Sequence, residues 1–132
     1  MIAGASRIVT AATAAFALTL ILPAHSAAPP RDAVISIDGQ NYHLEISGHA
    51  GPAVVFEAGL GNDLSTWDLV AEPIAKFARV VRYERPGLGK SLPMLSHDPV
   101  TAGQVAGNLR KLLNAAKIRP PYILVGHSLG GL

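Results

Sequence analysis

The spacing of apolar and polar positions changes period along the chain, and each change marks an element. Residues 41–47 alternate cleanly: Tyr42, Leu44 and Ile46 fall on one side, His43, Glu45 and Ser47 on the other. Strict alternation predicts a half-solvated antiparallel strand, paired with a short strand over 33–38 through the Asp38-Gly39 turn. On this reading His43 points at solvent and has no catalytic role. Residues 53–57 are nearly all apolar, as expected of a strand covered on both faces, and a Gly-rich loop follows over 58–62. Leu64, Trp67, Val70, Ile74 and Phe77 then recur at helical spacing, with Pro73 able to kink or shorten that helix. Residues 78–83 read as the next strand and 84–91 as a loop. Thr101 and Gln104 form a capping box that opens an amphipathic helix, whose stripe is Val105, Leu109, Leu112, Leu113 and Ala116. Pro120-Pro121 ends it ahead of a last apolar run, Tyr122-Ile123-Leu124-Val125, read as a buried strand. Strands alternating with helices predict an α/β protein whose parallel strands carry helices on both sheet faces. No internal repeat and no second domain is evident.

The first residues read differently. Arg7 followed by an apolar stretch over 8–22, with Pro23 and small residues after it, predicts a secretory signal peptide over 1–26. Residues 27–32 form a flexible lead-in to the domain over 33–132. The alternative is a membrane anchor, but fifteen apolar residues span only about 22 Å as a helix, short of a bilayer core of about 30 Å. The expectation is therefore a secreted or periplasmic protein with no stable membrane span after cleavage. Without Arg7 the remainder carries ten Lys or Arg against nine Asp or Glu, so no basic surface for nucleic acid is indicated. The absence of cysteine excludes disulfides and thiol catalysis.

The chemistry is concentrated in the last residues. The apolar run enters Gly126-His127-Ser128-Leu129-Gly130, a G-x-S-x-G pattern directly after a strand. In that context the pattern reads as a nucleophile elbow, with the Ser128 hydroxyl exposed at the strand's C-terminal end. Gly126 and Gly130 flank a turn too tight for a Cβ. A nucleotide-binding reading of Gly87-Leu88-Gly89-Lys90-Ser91 fails, because the P-loop's first glycine position is Glu84 and Leu92-Pro93 follows where a helix should begin.

Three segments in this order, Ala58-Gly59-Leu60-Gly61, Tyr83-Glu84-Arg85-Pro86-Gly87-Leu88-Gly89-Lys90-Ser91 and the elbow, resemble the N-terminal half of the α/β-hydrolase superfamily, serine-hydrolase branch. The resemblance implies a mostly parallel sheet, here reaching just past the nucleophile elbow. It implies Ser128 as nucleophile, and the backbone N–H groups of Leu129 and Leu60 as oxyanion-hole donors. Gly59 and Gly61 would shape the oxyanion loop, where many relatives have His-Gly and this chain has Ala58-Gly59. Glu84 stands where relatives usually carry Asp and is expected to be structural. Trp67 is a candidate for the acyl pocket, against the competing reading of plain helix-to-sheet packing. His127 is expected to pack or hydrogen-bond beside the pocket.

A serine hydroxyl needs a base to accept its proton, and the resulting oxyanion needs fixed donors, helped by the N-terminus of a helix starting at Ser128. The reaction expected is acyl transfer from a small-molecule ester, thioester or amide, with no cofactor and no metal. A serine at the elbow argues against the dehalogenase and epoxide-hydrolase members, which the resemblance says use Asp there. In the family order, acid and histidine follow the serine. All five histidines here precede Ser128, with His97 a weak substitute base. The expectation is an incomplete domain, prone to aggregate alone because its last strand would leave an apolar edge unpaired. The alternative function is an inactive remnant or a binding protein on a hydrolase scaffold.

Overall fold

A computed structural model describes residues 31–49, 51–96 and 98–132. The expected signal peptide, residues 27–30 of the lead-in, His25 and His97 lie outside the described residues.

Five strands form one mixed sheet. β1 (Arg31–Ile37) and β2 (Gln40–Ser47) make the antiparallel hairpin expected at Asp38-Gly39, and β1 begins two residues earlier than the sequence pattern predicted. β3 (Ala53–Glu57), β4 (Arg79–Tyr83) and β5 (Tyr122–Gly126) complete the order β1-β2-β4-β3-β5. β2 is antiparallel to β4, whereas β3 is parallel to both β4 and β5, with Val54 opposite Val80 on one side and Ile123 on the other.

β3 has the composition its position requires. Ala53 and Val55 join Leu44, Val81, Leu112 and Leu113 in the larger apolar cluster. Val54 and Phe56 join Ala71, Ala75 and Val80 in a second cluster on the opposite face. Each face is covered by one helix. α1 (Asp68–Ala75) lies over the second cluster and α2 (Ala102–Ala115) over the first. Connections leaving β3 and β4 therefore run over opposite faces, and a cavity opens beyond the C-terminal ends of the parallel strands, where such a reversal places one.

α2 follows the sequence expectation closely. Thr101 N–H donates to Gln104 Oε1 at 2.8 Å, while Gln104 N–H donates to Thr101 Oγ1 at 3.2 Å. Leu109, Leu112, Leu113 and Ala116 are buried, and Val105 at the first turn is half-buried.

The first helix departs from its expected stripe. Leu64–Trp67 is a 3₁₀ turn, started by Asp63, whose carboxylate accepts from Ser65 N–H. Only then does α1 begin, and it buries Ala71 and Ala75, with Trp67 and Ile74 half-buried. Val70 and Phe77 are exposed. A 3₁₀ turn advances about 120° per residue against 100° for the α-helix, so one helical wheel drawn over both loses phase. Phe77 also falls after the helix ends.

His43 corrects a second expectation. It is 2% exposed rather than pointing at solvent. The loop after β4 folds back over this face of β2. His43 Nδ1 lies 2.8 Å from Glu84 Oε2, and Nε2 lies 2.9 Å from Asp32 Oδ1. His43 N–H donates to Ser91 Oγ, which donates in turn to the Glu84 carbonyl, each at 2.7 Å. Lys90 N–H donates to Glu84 Oε2 at 2.7 Å. Buried polar groups persist only when partnered in this way. The node pins the loop that bounds the cavity, and Glu84 acts structurally through it.

β5 has the unpaired outer edge that was expected, but its burial is a third correction among the described residues. Its apolar run was expected to be buried, yet Ile123 is 49% and Leu124 67% exposed. β5 pairs only with β3 among the described residues, and its far edge is open. No helix among the described residues is long and apolar enough to cross a membrane.

Candidate active site

The turn after β5 carries the strongest local signature. Ser128 has φ +54°, a left-handed conformation that non-glycine residues seldom adopt and that tends to mark functional turns. A Cβ on Gly126 would overlap the Gly130 carbonyl, and one on Gly130 would overlap the Glu57 carbonyl of β3. Both positions are closed to any larger residue. The backbone is tied to the neighbouring strand where His127 N–H donates to the Glu57 carbonyl at 3.1 Å. Ser128 opens a 3₁₀ turn, Ser128–Gly131. Its side chain is exposed, and no hydrogen bond to its hydroxyl is formed among the described residues.

The loop after β3 lies directly against this turn. Gly59 is buried, and a Cβ there would stand 3.2 Å from His127 Nδ1 and 3.4 Å from Ser128 Cβ. Gly61 has φ +71°, which lets the loop reverse. Leu60 and Leu129 both line a cavity of about 610 Å³, a size suited to a small-molecule ligand. Tyr83, Arg85, Met94 and Asn108 supply other parts of its wall. Ser128 stands beside this cavity rather than in its wall. The N–H groups of Leu60 and Leu129 have no hydrogen-bond acceptor among the described residues.

Trp67 and His127 are placed together but outside that cavity. The indole packs against Phe56, ring centroids 4.7 Å apart, and meets the His127 ring edge-on at 6.5 Å. Trp67 packs between the first helical turn and the sheet, and its buried Nε1 has no hydrogen-bond partner among the described residues. His127 rests on the indole, beside Gly59.

A buried polar cluster that the sequence pattern did not single out sits below the loop. Glu57, the last residue of β3, accepts a hydrogen bond from the Tyr83 hydroxyl through Oε2. Its Oε1 lies 3.5 Å from Arg85 Nη1 and forms no hydrogen bond among the described residues. Arg85 Nη2 donates to the Gly59 carbonyl, which also accepts from Asn62 N–H at 3.3 Å. Burial raises the Glu57 carboxyl above its ordinary range, against the opposing pull of the Tyr83 hydrogen bond and the Arg85 charge. Burial, and next the Glu57 charge, push the Tyr83 hydroxyl upward. One sequence signal was available: a lone carboxylate ends an otherwise apolar, doubly covered strand, where it must find a partner.

Among the described residues, Asp32, His43 and Glu45 have the spacing of metal ligands, with ligand atoms within 4.8 Å of one another. All three already have partners. Lys90 Nζ lies 2.6 Å from Asp32 Oδ2, Arg82 Nη2 lies 2.6 Å from Glu45 Oε2, and His43 spans Asp32 and Glu84. The arrangement is an ion-pair network at the sheet edge.

Comparison with known proteins agrees with this geometry. Residues 54–132 match the model of the alpha/beta hydrolase family. The uncharacterized protein YqjL of Bacillus subtilis is 38% identical over 98 residues, which cover 74% of this chain and 38% of that protein. The enol-lactonase from Burkholderia xenovorans superposes with a TM-score of 0.66 at 32% identity, over 76% of this chain and 38% of its own. A hydrolase from Pseudomonas aeruginosa does so with a TM-score of 0.67 at 26% identity, over 76% of this chain and 37% of its own. The chain thus spans less than two-fifths of each of these relatives. Its mixed sheet with interleaved helices is that of an α/β-hydrolase core, and the chain belongs to the alpha/beta hydrolase family.

Proposed function

We propose that the protein is a serine hydrolase that cleaves an ester, thioester or amide of a small molecule through an acyl-enzyme on Ser128. The observation that carries this reading is the conformation of Ser128: φ +54° between two glycines with no room for a Cβ. Such strain survives only where the surroundings over-determine it, and it holds the hydroxyl out at the end of the strand. Attack on the acyl carbon forms the Oγ–C bond and moves the carbonyl π electrons onto oxygen. The Leu60 and Leu129 N–H groups are the proposed donors to that oxyanion. Collapse of the intermediate breaks the bond to the leaving group, which departs as the alcohol, thiol or amine with the proton given up by Ser128. Water then hydrolyses the acyl–Oγ bond to release the acid and restore the serine.

The residues that activate Ser128 are proposed to lie outside the described chain, in the order serine, acid, histidine. Export by the N-terminal segment is proposed on its apolar pattern alone. The unpartnered Ser128 hydroxyl also supports the rival reading of a binding protein on a hydrolase scaffold. Intact mass after treatment with a fluorophosphonate separates the two. The expected result is one adduct on the native protein, lost in Ser128→Ala. Absence of an adduct under conditions that label a known serine hydrolase would leave the binding reading in place.

A further inference from the structure

The buried Glu57–Tyr83–Arg85 cluster contacts no group of the proposed reaction directly, yet it ends on a single backbone atom of the oxyanion loop. Arg85 Nη2 donates to the carbonyl of Gly59. That carbonyl and the N–H of Leu60 belong to one peptide unit, which is planar and trans, so they point in opposite directions. Holding the oxygen therefore fixes where the N–H points. The remaining hold on this peptide is weaker. Asn62 N–H reaches the same oxygen at 3.3 Å, across a loop in which Gly61 is the reversing residue. A charge-assisted bond from a guanidinium is stronger than a neutral one, and a donor to the carbonyl also polarises the N–H of the same peptide.

We propose that Arg85, braced by Glu57, is a positioning residue that holds the Gly59–Leu60 peptide with its N–H available to an oxyanion beside Ser128. The bracing has a visible construction. Arg85 and Glu57 side chains are 15% and 13% exposed, so neither is swept by bulk water. Tyr83 occupies the second carboxylate oxygen and stops the Glu57 side chain from turning away. Glu57 and Tyr83 end β3 and β4, which are locked in parallel register with Phe56 opposite Arg82, and Arg85 follows two residues after β4. The loop thus inherits the rigidity of the sheet through side chains, although it is itself rich in glycine. This inference rests on the serine-hydrolase reading of Ser128.

The test uses the native, full-length protein that carries this sequence, with p-nitrophenyl acetate as substrate and fluorophosphonate labelling as a second readout. Loss of one oxyanion donor typically costs about 10²–10³ in rate. Arg85→Ala, which leaves the donor present but unheld, is expected to lower kcat by about 10- to 100-fold on that scale. KM should stay within about twofold, since the interaction acts in the transition state. Added guanidinium should restore part of kcat, and Arg85→Lys should retain part of it. An unchanged kcat, or a raised KM with kcat intact, would overturn the proposal, the latter by making Arg85 a substrate contact. If Arg85→Ala does not fold, Arg85→Lys decides, with wild-type kcat overturning the proposal and a partial loss upholding it. If the wild type itself neither labels nor turns over, the reading of Ser128 falls instead. If the wild type labels and the variants label equally fast, this inference alone falls.

Discussion

The middle of the sheet and its β5 side are built to different standards. β3 and β4 bury both faces: Val55, Val80 and Val81 are 0–1% exposed, and each face has its helix. β5 and the serine turn have one neighbouring strand, with Ile123 and Leu124 open among the described residues. The strained serine turn sits on the side with less packing among the described residues. It is held there by short-range backbone devices: the Glu57 carbonyl receiving His127 N–H, and two glycines pressed against carbonyls. Rigidity of the serine turn is thus decided by close backbone contact, whereas rigidity of the core is decided by apolar area.

The sharpest way to break that comparison is to truncate one leucine on each side. Leu112, fully buried under the sheet, is expected to cost about 4 kcal/mol when changed to Ala, in the range for large-to-small core substitutions. Leu124→Ala should change stability by no more than about 0.5 kcal/mol, as at other exposed sites. Urea unfolding of the two variants measures the contrast. An equal loss at Leu124 would reveal a further surface packed on β5.

Gly130→Ala should come next, at about 3 kcal/mol from overpacking, because the new methyl group meets backbone that cannot move aside. Here labelling of Ser128 should fall more than the melting temperature does. A variant that labels at the wild-type rate would show that the turn does not need that close approach.

His43→Ala tests the polar side of the packed region. It leaves the Glu84 carboxylate buried with a partner removed, a change worth about 2 kcal/mol. The expected readout is a lower melting temperature with labelling retained, since the node pins the loop from outside the cavity.

The smallest effect is in the pH dependence, and its sign differs between a half-buried carboxyl on β3 and an exposed one on β1. Glu57 is raised above 4.5 by burial, so its folded form holds a proton more tightly than the unfolded chain does. Its contribution to stability is present below pH 4.5 and is lost as pH rises through the raised value. Asp32 is lowered below 3.8, chiefly by its hydrogen bond from Lys90 and then by His43. Its contribution is present above pH 3.8 and is lost as pH falls through the lowered value. Denaturant midpoints across pH 3 to 7 should therefore lose slopes of opposite sign in Glu57→Gln and Asp32→Asn.

Much of this was legible from residues alone where the deciding interactions are local. The capping box of α2, its buried stripe and the Asp38-Gly39 hairpin depend on neighbours within a few positions, and each lies where the pattern puts it. The G-x-S-x-G run likewise located the strained turn. The first helix was misread because a 3₁₀ turn changed the angular step at Trp67, which no count of apolar positions reveals. Tyr83 and Arg85 were passed over because their partner, Glu57, is 26 and 28 residues away in the chain and adjacent only across a parallel ladder.

Local propensity and period settled which segments are strands, where α2 runs, which serine is strained, and where two glycines are obligatory, since those are constraints of covalent geometry within a few residues. Only the folded arrangement decided the rest. It buried His43 by bringing the loop back over β2, and it turned Glu57 and Arg85 into a brace. These outcomes depend on which distant segments share a strand end, and the order in which strands pair is a property of long-range contact rather than of any stretch of sequence.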